Sequence, residues 1–287
     1  LPAIGALLFG MTGVGGMLAT GPLAMLLKVL DWRTAMLGIS AYCCIVGAIA
    51  VVLIPNAPPP QMRQSLARQV AAIGRLYASS AFLRFAPVTV AAIASYSSYQ
   101  SLWAAMWLRD LEGFGRDAQA WALFVLMAAM MLGNFAFGAA NGPLRRMGIS
   151  TLQVAMTAMA AMIVLEAAIA LELAPSSLPL WAAVGLCASG PIAMFAVLSA
   201  RFPPELAGRC NTALNLLGFF GGFLLQSGIG LVLDRFPIAA DGRYAPEGHR
   251  LALGVTVGVQ ALAFAWFVFA GRFDRQAPGL TEQRDGT

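Results

Sequence analysis

An all-α fold that crosses a lipid bilayer about eight times is what this sequence predicts, and three observations predict it. Charged residues make up only 11% of the 287-residue chain and apolar ones 59%, whereas a water-soluble domain carries roughly 25% charged residues. Apolar runs recur at about the twenty residues that a helix needs to span a hydrocarbon core of roughly 30 Å. The turns between those runs alternate in charge as membrane topology requires. The runs are also far longer than the alternating segments of about ten residues that build a β-barrel.

The first run, 1–27, carries Gly5, Gly10, Gly13, Gly15, Gly16 and Gly21. Small residues let helix backbones approach closely where dispersion, not hydrophobicity, holds helices together. The second run, 34–54, stops at Pro55, with Pro58, Pro59 and Pro60 behind it. Residues 56–84 form the only long linker, holding Arg63, Arg68, Arg75 and Arg84 and no acid. Apolar residues recur at helical spacing over 61–77, which predicts an amphipathic helix on the membrane surface. Six further runs follow at 85–108, 119–140, 150–173, 178–200, 210–233 and 251–271. Pro175 and Pro179 bracket a tight turn, and Pro203 with Pro204 breaks another. Ser189-Gly190-Pro191 interrupts the run 178–200; the proline frees a carbonyl there, giving a kink or a ligand-facing break.

Alternation over eight helices sorts the charge. One side receives the linker, the 142–148 turn, the 201–209 turn and the chain end from Arg272 through the tail 273–287, with eleven cations (Arg145 and Arg146 among them) against four acids. The other side receives seven cations and nine acids, which together account for all 18 and 13. The positive-inside rule places the basic side, and with it the C-terminus, in the cytoplasm. Because the arginines sit in short turns and form no stripe, the net charge of +5 does not point to nucleic acid. Cys43, Cys44, Cys187 and Cys210 stand at no metal-ligand spacing and are expected to be small buried hydrophobes. No cofactor motif, metal cluster or catalytic triad is legible.

Polar residues inside the runs carry the functional expectations. Ser95-Tyr-Ser-Ser-Tyr-Gln-Ser101 is the most polar stretch in any helix, and buried hydroxyls and amides must face protein or water. Asn134, Asn211, Asn215 and Gln226 are lone amides whose default role is interhelical hydrogen bonding; Gln226 is the deepest of them. Glu166 is the one carboxylate in the interior of a run, Glu172 standing at the end of the same run. An acid there is a functional candidate by default, here for coupling to a proton, although two turns from the outer end it could also reach the interface. Trp107 is expected to anchor at the interface, and His249, the only histidine, to sit in a solvent-exposed loop without a role. Gly218, Gly221 and Gly222 give the run 210–233 a small-residue face like that of the first.

Two helices, a long basic linker and six more helices resemble a twelve-helix transporter of the major facilitator superfamily without its first four helices. Gly13-Val-Gly-Gly-Met-Leu-Ala-Thr-Gly-Pro22 with Asp31-Trp-Arg33 resembles the family's fifth helix. Gln100-Ser-Leu-Trp-Ala-Ala-Met-Trp-Leu-Arg-Asp110 resembles the seventh, and Asn211-Thr-Ala-Leu-Asn215 with Gln226 and Gly230 the eleventh. The chain departs from the family pattern at Met25, where glycine would follow Gly-Pro, and in the 138–148 turn, which lacks the usual aspartate.

The resemblance implies that 1–55 closes an N-terminal half, 56–84 joins the halves, and 85–272 is a six-helix C-terminal half. It implies a small-molecule solute, a cavity lined by Tyr96, Tyr99, Gln100, Trp103, Ser189 and Gln226, and gating or packing roles for Gly16, Gly21, Pro22, Arg145, Arg146, Pro191, Gly218 and Gly222. Tight packing between the two halves is the expectation for both glycine faces. The function so implied is secondary transport by alternating access, in a bacterial inner membrane; without the first four helices, the 287 residues are expected to show no gradient-driven uptake. The rival readings are a membrane assembly subunit with no transport cycle and an integral-membrane enzyme.

Overall fold

The computed structural model describes residues 13–53 and 66–274, which are helical almost throughout. In chain order the helices are α1 (Gly13–Leu26), α2 (Trp32–Leu53), α3 (Leu66–Ala78) and α4 (Ser80–Ser98). The π turn Tyr99–Trp103 then leads to α5 (Ala104–Asp110), α6 (Arg116–Arg146), α7 (Thr151–Ala170), α8 (Leu178–Cys187), α9 (Ser189–Ser199), α10 (Pro204–Leu233) and α11 (Pro246–Asp274). Six spans among the described residues are long and apolar enough to cross a bilayer: α2, α6, α7, the α8–α9 pair, α10 and α11. A seventh path runs without interruption from Ser80 to Asp110 through the π turn. The run 1–27 is represented by α1, its beginning lying outside the described residues.

Local chemistry sets the helix ends. Ser150 and Gln153 form a reciprocal capping box at the start of α7. Gly148, with φ of 83°, supplies the left-handed residue that ends α6. The carboxylate of Glu112 accepts the Ser177 backbone N–H at 2.8 Å and both serine hydroxyls, capping α8 from a neighbouring turn. Pro191 has no N–H for the Cys187 carbonyl, and the helix is interrupted at Ala188, between α8 and α9. Of the two expected forms, the interruption is a kink: Ala188 alone leaves the helix, with φ of −64° and ψ of −11°, and the two pieces make one span.

Small residues make the tight crossings. A Cβ on Gly133 would fall inside the Leu186 carbonyl, and one on Gly185 would lie 2.7 Å from the Leu126 carbonyl, so α6 and α8 meet backbone to backbone. Gly190 sits in the same way against Ala155 and Ala158 of α7. On α1, Gly13, Gly16 and Gly21 press on Met131, Met127 and Trp121 of α6, which seats α1 against the six-helix body. The second glycine face does something else. Gly218, Gly221 and Gly222 of α10 receive Ile93, Val90 and Ser97 of α4, so they pack within the six-helix body.

The two ends of the bundle sort as the charge alternation requires. At one end Lys28 pairs with Asp117 at 2.5 Å, Arg250 with Glu172 at 2.6 Å, and Arg109 reaches the Gly242 carbonyl. At the other, Arg84 donates to the Phe267 carbonyl and stacks on its ring, the Trp266 indole donates to the Leu83 carbonyl, and Arg201 lies over Phe85. Cys43 and Cys44, expected as buried, are exposed on α2. That helix buries only Ala35 against the rest of the described chain, so its apolar surface is left for lipid or for other helices.

Candidate functional site

A polar side chain in hydrocarbon must find a partner or water, and in the six-helix body the partners converge on two buried carboxylates. The first is Glu166 on α7. Its side chain is 0% exposed, so it does not reach the interface as its position in the sequence suggested. Ser95 of α4 donates its hydroxyl to the two carboxyl oxygens at 2.9 and 3.0 Å, and Gln260 of α11 donates its amide nitrogen to Oε2. Three helices thus meet at one acid. No ion pair among the described residues involves Glu166.

The Gln260 carbonyl oxygen is buried with no hydrogen-bond partner among the described residues. A carboxamide turned end for end exchanges its oxygen and nitrogen, which are close to isosteric. Gln260 can therefore present N–H to an ionised Glu166 or C=O to a protonated one, and Ser95 can donate in either case. Tyr99 begins the π turn nearby; its hydroxyl is buried and has no hydrogen-bond partner among the described residues, and its ring stacks on Trp181 at 5.1 Å. Single π turns inside α-helices are frequent at functional sites. This one falls in the most polar stretch of the chain.

The second carboxylate is Asp110, at the end of α5. Its side chain is fully enclosed, yet it accepts from Arg109 Nε at 2.5 Å, lies 2.8 Å from His249 Nε2 and accepts the Tyr244 backbone N–H at 3.2 Å. His249, expected in a solvent-exposed loop, is instead buried in the first turns of α11 with the Trp107 ring edge-on at 5.9 Å. Trp107 is likewise buried, not an interfacial anchor. The 234–245 loop folds back over the end of α5, its Tyr244 N–H on Asp110 and its Gly242 carbonyl on Arg109, and Trp107 lies between the rings of Trp181 and His249.

The residues expected to line a cavity separate into two groups. Tyr99, Trp103 and Ser189 are buried between helices, and Trp103 donates its indole N–H to the Gln226 carbonyl at 3.1 Å. Tyr96, Gln100 and Gln226 are half-buried. Of the expected gating or packing set, Pro191 is buried and Arg145 and Arg146 are exposed in the last turn of α6, where cations suit the carbonyl end of a helix. Gln260 was missed by sequence reasoning although it is the one amide in the run 251–271. Ser95 was read only as one hydroxyl among several.

No family model and no curated protein matches the sequence. A solved structure does: a bacterial homolog of the human lysosomal transporter Spinster, captured inward-facing and unoccupied. The similarity covers 94% of this chain and 70% of that one, with a TM-score of 0.58 and 17% identity. At that identity it is the fold alone that is shared.

Proposed function

We propose that this chain is part of a secondary transporter that moves a small solute by alternating access, and that Glu166 is its proton-binding residue in the six-helix body. The observation that carries the coupling step is the neutral surroundings of Glu166: two neighbouring helices supply a hydroxyl and an amide, and no described residue pairs it with a cation. An unpaired charge in such a place costs several kcal/mol. A proton removes that cost, and the reversible Gln260 carboxamide gives each protonation state a complete set of hydrogen bonds. With the proton on, Glu166 donates to the Gln260 oxygen; with the proton released to water, the Gln260 nitrogen donates to the carboxylate. Gaining or losing a proton therefore changes how α7, α4 and α11 are tied together, which is the kind of two-state element that alternating access requires.

On this reading Tyr96, Gln100 and Gln226 face the solute, with Tyr99, Trp103 and Ser189 behind them. Residues 1–55 and 85–272 belong to the two halves, joined by 56–84. The basic turns and the C-terminus lie in the cytoplasm of a bacterial cell.

Infrared difference spectra recorded across a pH titration of the reconstituted protein test the proton site without knowledge of the solute. A carboxylic C=O band that titrates in the wild type and is absent in Glu166→Gln supports it; an identical band in both overturns it. Transport itself is read in vesicles from cells producing these residues together with the four preceding helices that the resemblance implies, loaded with a pH-sensitive dye and offered a panel of small solutes. Solute-dependent proton flux that Glu166→Gln abolishes is the expected result, and the 287 residues alone are expected to show none.

A further inference from the structure

At the end of the bundle where Arg250 pairs with Glu172, a cavity of about 170 Å³ enters the six-helix body. Glu112, Glu172 and Ser177 give it a polar lining, and Trp107, Ile169 and Leu180 an apolar one. Glu172 is exposed, so the cavity meets solution. At roughly 30 Å³ for each water it has room for about five. We propose that this cavity is the water-filled entrance of a proton route to Glu166, and that Trp181 and Tyr99 form its last stretch. The inference rests on the reading of Glu166 as the proton-binding residue and adds the way by which the proton arrives.

Three observations support the route. The first is nearness. Ile169, in the cavity wall, follows Glu166 by three residues on α7, a rise of about 4.5 Å, and residues three apart are neighbours on one helix face. Glu166 is enclosed, so one layer of side chains separates it from the cavity. The second is the polarity of that layer. Trp181 meets the Trp107 ring of the cavity wall at 6.5 Å on one side and stacks on Tyr99 at 5.1 Å on the other. The Trp181 indole N–H and the Tyr99 hydroxyl are both buried, and neither has a hydrogen-bond partner among the described residues. Buried polar groups without partners cost stability, and two of them on stacked rings suit a bridging water. The third is direction. Tyr99 follows Ser95 by four residues, one turn along the same face, and Ser95 is the residue that donates to Glu166. Polar atoms therefore lead from the cavity to the acid through packing that is otherwise apolar.

The indole only donates, so its part is to orient a water; a tyrosine hydroxyl both donates and accepts. A proton reaching that water from the cavity passes to the Tyr99 oxygen as the hydroxyl releases its own toward the Glu166 carboxylate. Hydronium and carboxylate become water and carboxylic acid, and nothing is oxidised or reduced.

The test follows the infrared carboxylic C=O band of the reconstituted full chain, assigned to Glu166 by its absence in Glu166→Gln. On a switch to D2O the band shifts as O–H becomes O–D, and the rate of that shift reads how fast Glu166 is reached. Tyr99→Phe keeps the ring on Trp181 and removes only a hydroxyl without a partner, so the fold is not put at risk. Ala168→Leu adds bulk at a half-buried residue of the cavity lining. Each is expected to slow the shift about tenfold, the effect of losing one hydrogen bond along the way, at an unchanged unfolding midpoint. Exchange at the wild-type rate in either variant overturns the route while leaving the proton site in place. A wild type with no titrating Glu166 band overturns the proton site and the route together.

Discussion

Glu166 and Asp110 are both carboxylates enclosed by the same six-helix body, and they are built for opposite purposes. Asp110 is surrounded by the charged Arg109 guanidinium, the His249 ring, which can carry charge, and a backbone N–H. Its negative charge is compensated where it stands, and removing it strands what surrounds it. Glu166 is surrounded by a hydroxyl and an amide, neither of them charged. Burial alone therefore does not say what an acid does. The charge of its neighbours does: a compensated carboxylate is a fixed clamp, and an uncompensated one responds to proton concentration.

The largest expected effect follows from the clamp. Asp110→Asn leaves Arg109 and His249 without their counter-charge and frees the 234–245 loop from α5. Breaking a buried pair by deleting one partner costs about 3 kcal/mol or more, read as a lowered midpoint in thermal unfolding of the detergent-solubilised protein. A midpoint equal to that of the wild type would mean that Asp110 is not the hub that holds the loop. His249→Phe comes next. It keeps an aromatic ring against Trp107 while removing one hydrogen bond to a charged group, so a loss of about 2 kcal/mol is expected by the same measurement. A larger loss than that of Asp110→Asn would reverse the assignment of which residue is the centre of the cluster.

Glu166→Gln sharpens the contrast, because here the stability cost is small and the functional cost is large. The glutamine amide can donate to the Gln260 oxygen and accept from Ser95, as a protonated glutamate would, so the unfolding midpoint should move by no more than about 1 kcal/mol. The midpoint of the wild type should depend on pH across the range in which Glu166 titrates, and that of Glu166→Gln should not. A destabilisation as large as that of Asp110→Asn would show Glu166 to be a second clamp.

Much of this was legible from residues alone, and the pattern of what was not is instructive. Run length and turn charge predicted the spans, because both are set by the thickness and polarity of the solvent and not by tertiary contacts. Pro191 announced the kink at Ala188 through its missing N–H. Glu166 stood out because an acid in an apolar run is conspicuous. What it would touch was not legible, since Ser95 and Gln260 are 71 and 94 residues away along the chain and nothing local links them. His249 and Trp107 were misplaced for a related reason: proximity to a turn signals exposure only when no other segment, here the 234–245 loop and the Trp181 ring, covers the residue. The glycines of α10 had a legible role, close packing, but a partner that depends on which helix lies opposite, and that helix proved to be α4.

A third acid, outside the membrane, extends the comparison to its weakest case. Asp31 caps α2: one carboxylate oxygen accepts the backbone N–H groups of Arg33 and Thr34 at 3.0 and 3.2 Å, and the other accepts the Thr34 hydroxyl at 2.5 Å. These bonds, the Thr34 hydroxyl foremost, hold its carboxyl below the ordinary value of 3.8. A carboxylate whose folded value is lowered stabilises the fold above its ordinary value, and that contribution is lost as pH falls through the lowered one. Hydrogen-exchange protection of the Arg33 and Thr34 amides, corrected for intrinsic rates, should therefore decline only at pH below the usual aspartate range. Asp31→Asn, which still offers a carbonyl to the cap, should keep most of the protection and lose its pH dependence. Because Asp31 is exposed and makes only local contacts, its protonation should fray the first turn of α2 while the global unfolding midpoint stays where it was. A global shift of the size expected for Asp110→Asn would mean that α2 is coupled to the six-helix body through more than the contacts of α1.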